Sequence, residues 1–321
     1  MSSNDFQILT RFLLPIDGSD PSRRCVHFAG CLAAALGERI EIITLLHVMA
    51  GHYLTSHMTY KDARAGQLIK TESFRRIKEQ FIEKSVMPML KEAEEELRKT
   101  GVRIPVDCMV KDGRPAAVIE KVAREESYST IIMGRRGLGP VEEIILGSTT
   151  SSLLHGPTPA SIYVAGTLVQ DGVCLLPRIL IPLDGSPHAL AAVEEAAVIA
   201  KSYGNSLKRI ILLNCIDVAY YAEKADSGDK PEDEAAGILN QGRQILMEAG
   251  ISEAKLETRA IYGKPADIVL DIADRKQITL VIMGRRGRSV MRDLFLGSVS
   301  SEILHRCVKP TVAIVGMRKV D

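Results

Sequence analysis

The residues with the clearest chemical potential are glycines, and they occur in two matching sets. One stretch, Ile131 to Ser148, reads I-I-M-G-R-R-G-L-G-P-V-E-E-I-I-L-G-S. A second, Val281 to Ser298, reads V-I-M-G-R-R-G-R-S-V-M-R-D-L-F-L-G-S and stands 150 residues further on. Both keep the spacing Gly, two residues, Gly, nine residues, Gly-Ser, at Gly134, Gly137, Gly147 and Ser148, then Gly284, Gly287, Gly297 and Ser298. Glycine lets a backbone turn sharply and approach a ligand closely. A helix start supplies free N–H groups and the positive end of a dipole, which together suit phosphate. Serine at that start is expected to cap some of the same N–H groups. The spacing is neither that of a Walker loop nor the G-x-G-x-x-G dinucleotide fingerprint. A turn and a helix cap with no ligand would use the same residue types. Two copies with every glycine retained favour a phosphate-binding loop.

A second candidate group is acidic. Phe12 to Ser19 and Ile179 to Ser186 are apolar runs that end Pro-Ile-Asp-Gly-Ser and Pro-Leu-Asp-Gly-Ser. Asp17 and Asp184 are either turn formers before glycine or acceptors for a ligand's hydroxyl or amino group. Arg135-Arg136 and Arg285-Arg286 lie between the first two glycines, either as phosphate-facing cations or as exposed loop residues.

These residues must be positioned by strands and helices that alternate. Each half begins with an apolar strand and an Ala-rich helix closed by Gly37 or Gly204. The second strand is 40–48 or 208–218, and the third is 102–110 or 254–261. Helices opening on Pro115 or Pro265 follow, then the glycine-loop strand, then a short fifth strand, 160–165 or 311–315. Between strands two and three, residues 49–100 hold a polar loop and a long charged helix, and the polar segment 223–234 reads as a loop. The pattern predicts an α/β chain with two doubly wound five-stranded parallel sheets of order 3-2-1-4-5, as a tandem repeat. The expected division is 1–165, a linker at 166–177, and 178–321. In such a sheet ligands bind at the switch point beyond strands one and four, which brings each Asp opposite its own glycine loop. The fifth strands are expected to pair across a pseudo-twofold within the chain, with a further homodimer as an open expectation.

Four motifs together resemble the universal stress protein family: P-x-D-G-S after strand one, L-L-H-V closing strand two, G-x-P before the third helix, and M-G-x-x-G-x9-G-S after strand four. The resemblance covers nearly the whole chain, twice. In that family the glycine motif marks adenine-nucleotide binders. It implies that Pro15, Asp17 and Val48 line the adenine and ribose end, while Met133, Gly134, Gly137, Gly147, Ser148 and Thr149 hold ribose and phosphates. The matching positions in the second half are Pro182, Asp184, Cys215, Met283, Gly284, Gly287, Gly297, Ser298 and Val299. There strand two ends Asn214-Cys215, a departure from L-L-H-V. The implied ligand is ATP or AMP, with magnesium accompanying ATP, in a stress-response or signalling protein. A nucleotide-free adaptor is the alternative, and slow ATP hydrolysis a third reading for which no general base is evident. His47, at a strand end, reads as a structural residue.

Composition bounds the partners. The 321 residues carry 41 basic and 40 acidic side chains, so the formal net charge is +1. That balance suggests neither nucleic acid nor a membrane surface, and with 4% aromatics and no Trp base-stacking platforms are not expected. No apolar run is long enough for a membrane span, and residues 1–10 lack a signal-peptide pattern, which leads to a cytoplasmic expectation. Cys25, Cys31, Cys108, Cys174, Cys215 and Cys307 form no C-x-x-C, and buried free thiols are the expected state.

Overall fold

A computed structural model describes residues 8–50, 72–136, 146–217, 230–288 and 296–316. Apolar runs form the strands. In the first half these are β1 (Arg11–Pro15), β2 (Ile42–Met49), β3 (Val106–Asp112), β4 (Thr130–Gly134) and β5 (Ser161–Ala165). In the second they are β6 (Arg178–Pro182), β7 (Arg209–Ile216), β8 (Leu256–Tyr262), β9 (Leu280–Gly284) and β10 (Thr311–Val315). The helices of the first half are α1 (Asp20–Leu36), α2 (Glu72–Phe81), α3 (Met87–Lys99), α4 (Pro115–Glu125) and α5 (Ser148–Leu154). Those of the second are α6 (Pro187–Tyr203), α7 (Pro231–Glu248), α8 (Pro265–Arg275) and α9 (Ser298–Arg306). A π-helical turn at Ile82–Val86 joins α2 to α3, so the long charged helix is present with a local widening. Its charged run is solvated, and only Leu90, Ala93 and Leu97 of α3 are buried.

Each half has the expected parallel order 3-2-1-4-5, and the fifth strands pair as expected, so the two five-stranded sheets are continuous. The ten strands form one sheet, ordered β3-β2-β1-β4-β5-β10-β9-β6-β7-β8. The join is antiparallel, with Val312 opposite Val164, Ala313 opposite Tyr163 and Ile314 opposite Ile162. All of β5 and β10 is buried. Two edge strands without polar gatekeepers are thereby covered, each by the other.

Alternation along the strands creates one core on each face, and each core runs through both halves. Phe12 and Leu14 of β1 pack on one face with Ile179 and Ile181 of β6, beneath α1, α3, α6 and α7. Leu13 and Leu180 turn to the other face, beneath α4, α5, α8 and α9. A polar contact also crosses the join. Glu195 of α6, 1% exposed, accepts from Ser161 Oγ at 2.7 Å and from Tyr163 Oη at 2.6 Å. A buried carboxylate needs such donors.

Two local expectations are corrected here. Residues 231–234 are not loop but the first turn of α7, with Pro231 in that turn and Glu232, Asp233 and Glu234 behind it. Proline and acidic residues are a helix-start signature that outweighed the segment's polarity. The thiols are not all free either. Cys31 of α1 is bonded to Cys174, 143 residues away, with their Cα atoms 5.5 Å apart. Cys25, Cys108, Cys215 and Cys307 are free. Among the described residues no helix is long and apolar enough to cross a membrane.

Candidate functional site

Each half opens a crevice beyond the carboxyl ends of its strands, where β1 meets β4 and β6 meets β9. Register explains the opening. β1 pairs along its whole length with β2, from Arg11–Ile42 to Pro15–Leu46, but with β4 only at Phe12–Thr130 and Leu13–Ile131. β6 and β9 likewise pair only at Ile179–Leu280 and Leu180–Val281. The chains diverge beyond those pairs, and the gap is the switch point.

In the second half the crevice encloses about 410 Å³. Pro182, Asp184, Cys215, Met283, Gly284, Gly287, Gly297, Ser298 and Val299, the positions singled out in the sequence, all line it. Asn214, Pro265 and Arg286 also line it. Asp184 sits where β6 ends and accepts two backbone bonds, from Ser186 N–H at 3.0 Å and from Arg288 N–H at 2.9 Å. The second bond ties the end of β6 to the glycine loop. A Cβ at Gly287 would stand 2.4 Å from Asp184 Oδ2, so this glycine admits the carboxylate as well as shaping the loop. Arg288 reaches Glu234 of α7 at 2.5 Å and borders the crevice on that side.

The first glycine of each loop has a packing role. A Cβ on Gly284 would lie 2.5 Å from the carbonyl carbon of His188, and one on Gly134 would lie 2.8 Å from that of Pro21. These positions let the start of α6 or α1 pack directly on the end of the glycine-loop strand.

The helix starts at the crevice are capped in two ways. Ser19 and Ser186 cap α1 and α6 by side chain, accepting from Ser22 N–H at 3.3 Å and Ala189 N–H at 3.2 Å. At α5 and α9 the cap residue is the glycine, Gly147 or Gly297, and there is no side-chain cap bond. The expectation that Ser148 and Ser298 act as caps is therefore corrected: each is the first helical residue. A glycine cap leaves first-turn N–H groups to face whatever enters the crevice. Thr150 and Ser300, which the motif reading passed over, donate their hydroxyls to Gly134 O at 3.0 Å and Gly284 O at 2.9 Å. They pin each helix start to its strand end. The signal was a hydroxyl residue three places after the last glycine in both copies.

The first crevice is smaller, about 130 Å³. Pro15, Asp17, Val48, Met133, Gly134 and Thr149 line it, whereas Gly147 and Ser148 do not. Gly137 lies outside the described residues. Asp17 Oδ1 accepts from Ser19 N–H at 3.1 Å and Ser19 Oγ at 2.6 Å. His47 Nδ1 bonds Ile16 O at 2.8 Å, and at the matching point Asn214 Nδ2 donates to Leu183 O at 2.7 Å. The departure Asn214 thus keeps the bond that His47 makes, and His47 is the structural residue expected.

Neither reading of the first arginine in each pair holds. Arg135 and Arg285 are 2% and 5% exposed. They cross the join and donate to the last carbonyls of the other half's final helix. Arg135 reaches Leu304 O at 2.5 Å, Cys307 O at 3.2 Å and His305 O at 3.3 Å. Arg285 reaches Gly156 O at 3.0 Å and Leu154 O at 3.3 Å. Cations at helix carboxyl ends satisfy carbonyls and the dipole together. Burial, followed by the neighbouring Arg286, brings the Arg285 guanidinium down to about 10. Arg136 and Arg286 are the members that line the crevices. Burial, then Arg286 and Arg285, also lowers the His188 imidazole. Burial pushes the Cys215 thiol up to about 12, so this thiol stays protonated and neutral at ordinary pH.

A model of the universal stress protein family matches residues 9–159 and 176–315. A universal stress protein of Synechocystis is 23% identical over 314 residues, covering 95% of this chain and 99% of that one. One from Mycolicibacterium smegmatis is 29% identical over 200 residues, covering 61% of this chain and 66% of that one. Among solved structures, a universal stress protein from Archaeoglobus fulgidus superposes with a TM-score of 0.65 at 22% identity, covering 98% of this chain and 99% of that chain; this likeness concerns the fold. With the family model matched in both halves, the chain belongs to the universal stress protein family, in a tandem two-copy form.

Proposed function

We propose that the chain is an adenine-nucleotide-responsive module that binds ATP or AMP in its second crevice. The observation that carries this reading is the convergence of all nine expected positions on one 410 Å³ space. That size lies within the usual range for small-molecule sites, about 300–1,000 Å³. The apolar wall of Pro182, Cys215 and Met283 suits a base. Asp184 retains acceptor capacity for nucleoside hydroxyl or amino groups, and the glycine-capped start of α9 suits phosphate. Where ATP carries magnesium, its phosphates and the Ser298 hydroxyl are the ligands at hand.

A specific observation supports a different role for the first half. At about 130 Å³ its crevice falls short of that range, while β5, Arg135 and Tyr163 build the join. The first half then serves chiefly as the structural partner of the pseudo-dimer.

Calorimetric titration of ATP and of AMP tests both parts. Gly297→Val is expected to abolish binding with the fold intact by circular dichroism, and Gly147→Val to leave it largely unchanged. Unchanged affinity in folded Gly297→Val protein would overturn the assignment. Loss of binding in Gly147→Val alone would move the site to the first half.

A further inference from the structure

Far from either crevice, His27 and Cys31 stand four residues apart on α1 and so share one helix face. Cys174, from the segment between β5 and β6, meets them there. One ligand atom from each of the three lies within 4.8 Å of the others. His27 is 2% exposed and Cys31 8%, while Cys174 is exposed. The His27 ring is oriented from behind, with Nδ1 at 2.9 Å from Glu96 Oε1 on α3. Its other nitrogen, Nε2, lies 3.5 Å from Cys31 Sγ and 3.2 Å from Val173 O. A cavity of about 40 Å³ lies beside the group, lined in part by His27, Cys31 and Val173.

Two sulfurs, an imidazole nitrogen and a carboxylate behind the imidazole are the parts of a carboxylate–histidine–metal arrangement. We propose that, once the Cys31–Cys174 disulfide is reduced, Cys31, Cys174 and His27 form a binding site for a thiophilic divalent cation of the zinc class. The redox step needs a phosphine or dithiol reductant, which supplies two electrons and, with two protons, converts the disulfide to two thiols. Metal binding then displaces both thiol protons to solvent and forms two metal–sulfur bonds and one bond to His27 Nε2, which gives up its contact with Val173 O. The Nδ1 proton stays on the bond to Glu96. On a tetrahedral centre with metal–sulfur bonds of about 2.3 Å the two sulfurs stand roughly 3.8 Å apart. Cys174 can supply that separation because it is an exposed residue in a stretch without helix or strand. Three protein ligands leave a fourth position for water.

The site preserves one cross-link under two conditions. Where oxidants prevail, a disulfide ties α1 to the segment that leads into the second half. Where thiols stay reduced, a metal ion ties the same two residues. No nucleotide is involved, so the proposal stands apart from the crevice reading.

Cobalt is the probe, because tetrahedral thiolate coordination gives it a thiolate-to-metal charge-transfer band. Full-length protein reduced with a phosphine is expected to develop that band and saturate at one equivalent, whereas the oxidised protein develops none. Cys174→Ser, at an exposed position, should abolish the band with the fold unchanged. Glu96→Gln should weaken binding by about 10–100-fold through lost orientation of His27. Zinc should also protect Cys31 and Cys174, identified by peptide mapping, from alkylation, and leave the accessibility of Cys108 unaltered. A reduced protein without the band would overturn the proposal. So would a band of equal strength in Cys174→Ser, or equal alkylation of Cys31 with and without zinc.

Discussion

The two crevices start from one motif and reach different sizes, about 130 Å³ against about 410 Å³. Their backbones agree closely. Each has a first glycine packed on a helix start, a glycine cap, a hydroxyl three residues later bonded to the strand end, and a cross-strand bond from His47 or Asn214. The side chains around this frame disagree. Asp17 accepts from both N–H and hydroxyl of Ser19, whereas Ser186 turns its hydroxyl to Arg286 O at 3.4 Å. Facing Gly18 is Met89 of α3, and facing Gly185 are Ile238 of α7 and Arg288. The motif therefore specifies where the backbone goes, while space for a ligand depends on residues from neighbouring helices that carry no motif.

The largest expected effects concern what the crevices share. Gly284→Ala and Gly134→Ala each place a methyl against rigid backbone, and each is expected to cost about 2–3 kcal/mol in denaturant unfolding. Gly297→Ala, whose Cβ clears Arg286 Cα by 3.4 Å, should cost well under that. Wild-type stability in Gly284→Ala protein would break the shared frame. The next effect separates the crevices. Asp184→Ala should weaken nucleotide binding by about 1–3 kcal/mol, and Asp17→Ala should leave it nearly unchanged. Equal losses by calorimetry would show that both crevices bind.

The crossing arginines should differ as their bonds do. Arg135→Met is expected to destabilise by about 2–3 kcal/mol, because it removes charge-assisted bonds to three carbonyls. Arg285→Met should cost less, about 1 kcal/mol. It removes two bonds, and among the described residues its Nε and Nη2 lack partners already. Thermal unfolding of the two variants in parallel decides the order. The smallest effect is on pH. The Cys215 thiol, raised in the fold from 9.0 to about 12, favours the folded state below pH 9, and that contribution is lost as pH rises towards 12. Cys215→Ser should flatten the alkaline fall in stability. The same thiol should be alkylated at pH 8 at least about tenfold more slowly than in unfolded protein.

Much of this was legible in the sequence because it rests on local rules. Apolar runs ending in Asp-Gly-Ser or Met-Gly located the strand ends, proline located the helix starts, and alternation gave the order 3-2-1-4-5. Thr149 and Val299, which the family resemblance implied, line their crevices. What escaped was set by long-range contact. Nothing around Arg135 announces that its guanidinium crosses to residue 307, or that Cys31 meets Cys174. Ser148 and Ser298 were misplaced by one position because glycine also serves as a cap, and the next turn was held instead by Thr150 and Ser300.

The antiparallel join has a geometric result for the two crevices. Strands of the first half run opposite to those of the second, so the crevices open towards opposite rims of the sheet, and no single small molecule can bridge them. Yet each is braced by the other. Helix α9 begins at the second crevice and is gripped at its far end by Arg135, which leaves the glycine loop of the first. Helix α5 begins at the first and is gripped at its far end by Arg285 from the loop of the second. Each short helix is thus a rod shared between two rims, and any tilt at one rim must be absorbed at the other.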